Sequence, residues 1–126
     1  MGTVHRSPVR TEVVPADGAC VVRLAGELDA DDAPGVRSLL AEQVLEGSGS
    51  LVLDLSELVF VDSAGLAALV AAHKGTRAAG TCLVLAGVSP QVAKVLAISG
   101  LDGVLTVAPS VPEALALVAA RTNRSA

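Results

Sequence analysis

The chain alternates between short β-branched runs and longer stretches in which apolar residues recur at helical spacing. Residues 10–16 (RTEVVPA) and 19–25 (ACVVRLA) predict two strands, and Asp17-Gly18 between them is the dipeptide of a type I′ hairpin turn. The second run ends in Gly26-Glu27-Leu28-Asp29. Asp31-Asp32-Ala33-Pro34 then makes an acidic helix start with Pro near the first helical position. Val36, Leu39, Leu40 and Val44 follow at helical period, so a helix is predicted to run to Glu46 and to stop at Gly47 and Gly49. Leu51 to Leu55 predicts a buried strand. A second apolar stretch leads to Asp62-Ser63, either of which can cap a helix that turns Leu66, Leu69 and Val70 inward and ends at Gly80. Residues 81–86 predict a further strand. Ser89-Pro90 is an N-cap followed by Pro at N1, opening a helix with Val92, Val95 and Leu96 inward and Gly100 at its end. Val104 to Val107 predicts a last short strand. Ser110-x-x-Glu113 is a capping box that starts a C-terminal helix with Leu115 and Val118 inward.

Two strands followed by alternating helix and strand imply crossover connections and mostly parallel pairing. The expected architecture is α/β: a single domain with a mixed, mostly parallel β-sheet and about four packed α-helices. Its expected span is residues 9–121, between a flexible leader over 1–8 and a flexible tail over 122–126. Composition agrees with one domain and shapes its core. Hydrophobic residues make up 52% of the 126 residues and aromatics only 1%, so Val, Leu, Ile and Ala must fill the interior. A partner surface on this chain would lack the usual aromatic anchors.

Charge and patterning remove several functions. The net charge is −4 and the nine basic residues are scattered, which leaves no basic stripe or stacking platform for nucleic acid. No unbroken apolar run is longer than that from Leu66 to Ala72, which is too short to cross a bilayer. MGTVHRSPVR holds no apolar stretch of signal-peptide length, so a cytoplasmic setting without membrane contact is expected. Cys20 and Cys82 are far apart and outside any CxxC pair, which reads as two reduced, buried small hydrophobes.

In a parallel sheet, ligands and partners meet the carboxyl ends of the strands. Four features fall there: Asp29, Asp54 with Ser56, Asp62 with Ser63, and Gly87 to Ser89. Ser63 stands where a strand hands over to a helix N-terminus, where backbone N–H groups favour negative charge. Taken alone it reads as a helix cap. A nucleophilic role is disfavoured, because V-D-S-A-G is not a G-x-S-x-G elbow. The nearest candidate base, His73, is about 15 Å further along the same helix, and reads as a surface or partly buried helix residue. His and Cys never cluster at metal-ligand spacing, and the knot of Asp29, Asp31 and Asp32 follows from helix-start electrostatics. Glycine-rich phosphate loops are absent. No enzyme activity, metal or bound cofactor is expected.

Three segments taken in order carry a resemblance. Gly26-Glu27-Leu28-Asp29, then Leu53-Asp54-Leu55-Ser56, then Phe60-Val61-Asp62-Ser63-Ala64-Gly65-Leu66 look like successive signatures of the bacterial anti-sigma factor antagonists, which are STAS domains. Gly87-Val88-Ser89-Pro90 and the later Leu96 to Leu101 extend the match, which covers Val9 to Ala120. The resemblance implies a regulatory module that binds an anti-sigma factor, itself a serine kinase, and so frees a sigma factor. It implies that the kinase phosphorylates Ser63 with its own ATP, that the phosphorylated protein lets go, and that a PP2C-type phosphatase resets it. Ala64 follows the acceptor where many members carry a second hydroxyl, so a single acceptor remains. The implied partner surface comprises Asp29, Asp54, Ser56, Asp62, Ser63, Ala64, Gly65 and Leu66. Helix capping and strand-end solvation explain Asp29 and Asp54 equally well. Ser89 reads as an N-cap, and Gly65 as a point of close backbone approach behind the serine. The alternative function is a small-molecule or nucleotide-sensing STAS module without a phosphoswitch.

Overall fold

A computed structural model of the chain describes residues 8–124. Five strands and four helices follow in the order β1 (Arg10–Ala16), β2 (Ala19–Leu28), α1 (Ala33–Leu45), β3 (Ser50–Val61), α2 (Ser63–Ala78), β4 (Leu83–Ala86), α3 (Pro90–Ser99), β5 (Thr106–Ala108) and α4 (Val111–Arg124). The strands lie side by side in chain order. β1 pairs antiparallel with β2, and every later pair is parallel. The sheet is therefore mixed and mostly parallel, in a single α/β layer arrangement.

Side-chain alternation assigns the two faces. Leu51, Leu53 and Leu55 of β3 pack with Val36 and Leu40 of α1, Ala68 and Leu69 of α2, and Val92 and Leu96 of α3. Val52 of β3 points the other way, with Val84 and Ala86 of β4, against Ala114 and Val118 of α4. Three helices thus cover one face and one helix covers the other. The core is aliphatic throughout, as the lack of aromatics required. On β1, the edge strand, Val13 and Val14 stay exposed.

The strand ends differ from the sequence-based expectations. β2 continues to Leu28 and β3 to Val61, well past Ala25 and Leu55, because their parallel ladder survives two register shifts. One shift falls at Gly26, whose φ of 100° only glycine adopts without strain. Bulged residues break the alternation that marks a strand, which is why this half was illegible. β4 begins at Leu83 instead of Thr81. β5 begins at Thr106 instead of Val104, because a short 3-10 turn at Leu101–Gly103 takes up the residues after left-handed Gly100. The hairpin turn is not type I′. Only Gly18 has positive φ there (71°), whereas type I′ needs it at Asp17 as well.

Helix interiors are shifted toward small residues. Val70 and Leu66 are only partly buried, while Ala68, Ala72 and Thr76 complete the seam of α2. In α4, Ala114 joins Val118 inside and Leu115 is partly buried. Ser89 caps α3 as expected, accepting from the Val92 N–H while its hydroxyl donates to the Leu58 carbonyl. Cys20 is buried, Cys82 partly so, and both are free thiols. The expected leader falls almost wholly outside the described residues, although Pro8 bridges to Glu27. Of the expected tail, residues up to Arg124 continue α4, and the rest lies outside the described residues.

Candidate functional site

The site is built where the extended halves of β2 and β3 end together, since Leu28 pairs with Val61. The next residue on each strand is an aspartate. The Asp62 N–H donates to the Leu28 carbonyl, which closes the ladder. Its side chain then does two things. Oδ1 accepts from the Gly65 N–H at 2.9 Å, capping α2, and Oδ2 accepts from the Ala30 N–H at 3.0 Å. One carboxylate therefore ties the β2–α1 loop to the start of α2.

Asp29 shapes that loop from the other side. Its carbonyl accepts from the N–H groups of Asp32 and Ala33, and its Oδ1 accepts from the Asp31 N–H at 3.0 Å. Asp32 Oδ2 accepts from the Val9 N–H, which brings the start of the domain to the same corner.

Ser63 is the first residue of α2 and is exposed. Asp62 already occupies the capping role, so the serine is not the cap. The Ser63 hydroxyl makes no hydrogen bond to any described residue. Ala64 and Leu66 are partly buried beside it. Gly65 is buried, and a Cβ there would stand 2.6 Å from Val61 Cγ2 and 2.8 Å from the Leu28 carbonyl oxygen. Only glycine lets the first turn of α2 lie this close to the strand ends. The turn thereby holds the serine outward, with free N–H groups of the helix start around it.

Asp29, Asp62, Ser63, Ala64, Gly65 and Leu66 are thus brought to one corner, and Asp54 and Ser56 are not. Asp54 pairs with Arg23 across the ladder, and the five residues from Arg23 to Leu28 span about 16 Å of strand. Asp54 and Ser56 form their own cluster on the α4 side of the sheet. Asp54 Oδ1 accepts from the Ser56 hydroxyl at 2.7 Å and from its N–H at 3.1 Å, and Oδ2 accepts from Arg23 Nε at 3.4 Å. Burial works to raise the Asp54 carboxyl. The hydrogen bonds from Ser56 and Arg23, with the Arg23 charge, outweigh it and hold the group below its ordinary value.

Two residues near Ser63 escaped the sequence reading. A groove of about 390 Å³ opens at Ser63 and is flanked by Arg37 of α1 and Lys74 of α2. Lys74 was visible in principle as the last position of the exposed α2 stripe Ser63, Ala67, Val70, Lys74. Arg37 is brought there only by the packing of α1 on α2. His73 is partly buried in α2, with Nδ1 enclosed and without a hydrogen-bond partner, and it does not line this groove. Among the described residues no group of His, Cys, Asp and Glu could hold a metal ion. No described helix is long and apolar enough to cross a membrane.

Comparison with known proteins bears on the family and the fold. The family model for the STAS domain matches residues 10–114. The anti-sigma-B factor antagonist of Listeria monocytogenes is 39% identical over 85 residues, covering 67% of this chain and 74% of that protein. The crystal structure of an anti-sigma factor antagonist from Mycobacterium paratuberculosis superposes with a TM-score of 0.78 at 29% identity, over 87% of this chain and 93% of the other. The Bacillus cell fate determinant SpoIIAA in its phosphorylated form gives 0.66 at 25% identity, over 87% and 98%. The chain belongs to the STAS-domain family, in the company of anti-sigma factor antagonists.

Proposed function

We propose that this protein is an anti-sigma factor antagonist switched by phosphorylation of Ser63. Unmodified, it binds a cytoplasmic serine-kinase anti-sigma factor and frees the sigma factor. The kinase transfers the γ-phosphoryl group of its own bound ATP to the Ser63 hydroxyl, and the phosphoprotein dissociates. A PP2C-type phosphatase restores the hydroxyl. The protein supplies no catalytic group and needs no cofactor of its own.

The observation that carries this reading is the division of labour between Asp62 and Ser63. Asp62 takes the capping role, which leaves the neighbouring hydroxyl exposed and uncommitted. Both Asp62 oxygens accept backbone N–H groups, which fixes that carboxylate as a brace of the corner, and we assign the base that takes the Ser63 proton to the partner kinase. A phosphate adds about −1.5 to −2 charge, which the amide-rich helix start accommodates. The cost falls on the complex, because the new charge enters a docking surface already bearing Asp29 and Asp62. A penalty of ~3 kcal/mol weakens binding on the order of 100-fold. The likeness to a phosphorylated relative supports the same reading.

The test mixes the purified chain with a serine-kinase anti-sigma factor and ATP, then maps the modification by mass spectrometry. Phosphate on Ser63 is expected, with binding lost on modification. Ser63→Ala is expected to bind and resist modification, and Ser63→Asp to bind on the order of 100-fold more weakly. Modification at another residue, or unchanged binding by Ser63→Asp, overturns the reading.

A further inference from the structure

The groove that begins at Ser63 carries charge of one sign. Among the described residues, Arg37 and Lys74 are its charged ones, and no Asp or Glu lines it. This is a local reversal, since the chain as a whole has net charge −4. Neither cation has an ion-pair partner among the described residues. The floor between them is apolar, formed by Leu66, Val70 and Leu101, each only partly buried. From Ser63 to Lys74 the α2 axis rises about 16 Å, the length of roughly three helical turns.

Unpaired cations beside a half-covered apolar floor complement an anionic, amphipathic occupant. We infer that this groove is the docking site for a helix of the anti-sigma factor that carries carboxylates beside an apolar stripe. Arg37 and Lys74 meet the carboxylates, while Leu66, Val70 and Leu101 take the apolar stripe. This rests on the proposed reading of Ser63 and extends it. Ser63 is the modified group at the head of the groove, and the two cations select and steer the partner that reaches it. A neutral or basic helix would leave both cations unpaired against the interface.

The experiment uses the full chain and a serine-kinase anti-sigma factor, with association rates measured from about 50 to 500 mM salt. Ser63 phosphorylation is followed in parallel. The variants are Arg37→Glu/Lys74→Glu and the conservative pair Arg37→Lys/Lys74→Arg, each checked for an unchanged melting temperature. The wild type is expected to associate more slowly as salt rises. Charge reversal is expected to slow association at low salt about 10-fold or more and to flatten the salt dependence. It should raise KM for phosphorylation with kcat little changed, since Ser63 and Asp62 are untouched. The conservative pair should restore both. If the reversed variant associates like the wild type while Ser63 is still phosphorylated, the groove assignment falls and the phosphoswitch stands. If the wild type neither binds nor is modified, both fall together.

Discussion

Two neighbouring residues at the start of α2 divide two tasks. Asp62 accepts the Gly65 and Ala30 N–H groups, and Ser63 presents an uncommitted hydroxyl. Asp62→Ala should therefore cost about 1–2 kcal/mol from the lost cap alone, read as a drop in denaturant midpoint at unchanged slope. Ser63→Ala should leave stability within about 0.5 kcal/mol, because an exposed side chain without partners is removed. Equal losses for the two variants would mean that the serine shares the capping role. Gly65 is constrained by space. Its Cβ would meet Val61 and the backbone of Leu28, so Gly65→Ala should destabilise by about 1–3 kcal/mol and shift the amide resonances of residues 28–30 and 62–66. A neutral substitution would show that the first turn of α2 can move away from the strands.

At the scale of elements, β3 joins two clusters with different roles. Its middle holds Asp54, and its far end delivers Asp62. The Asp54 carboxyl is held below its ordinary value by Ser56 and Arg23 against the effect of burial. Because the folded value is depressed, the unfolded chain binds more protons as pH falls past the unfolded value of about 3.9. The stabilisation is fully present above that window and is lost as pH falls through the folded value. Denaturant unfolding between about pH 5 and pH 2.5 should show this loss, and Asp54→Asn should make the slope shallower. Asp54→Asn should leave Ser63 phosphorylation unchanged, since about 16 Å of strand separates the two clusters. A lost phosphorylation rate with intact stability would return Asp54 to the partner surface.

At the scale of the molecule, Ser63, the proposed phosphoacceptor, stands on the rim of a sheet whose core it does not enter. Leu28 and Val61, both buried, back the first turn of α2 and hold the corner independently of the serine. Phosphorylation is therefore expected to change the surface and leave the fold intact. Amide spectra of the phosphorylated protein should shift around residues 28–33 and 62–67, with β1, β4 and α4 unperturbed. Shifts spread through the sheet would mean that the switch works by repacking.

Much of this was legible along the chain. Helical spacing marked α1 to α4, Pro90 and Gly100 bounded α3, and the segment from Phe60 to Leu66 singled out Ser63. These signals are local, because caps, periodicity and turn residues act over one or two turns. The second halves of β2 and β3 were not legible, because the bulges at their register shifts interrupt the alternation that defines a strand. Asp54 and Ser56 likewise read as neighbours of Ser63 while the length of β3 was unknown.

The sequence by itself determined the element types and the aliphatic core, since each depends on residues close together in the chain, and its resemblance to the anti-sigma factor antagonists named Ser63 as the candidate phosphoacceptor. Only the tertiary structure decided that Asp62 bridges to Ala30, that Asp54 belongs to a separate corner, and that Arg37 shares a groove with Ser63. Each of these depends on which strand ends coincide and which helices pack side by side. The long-range ladder between β2 and β3 and the packing of α1 on α2 set those relations, and no local pattern encodes them.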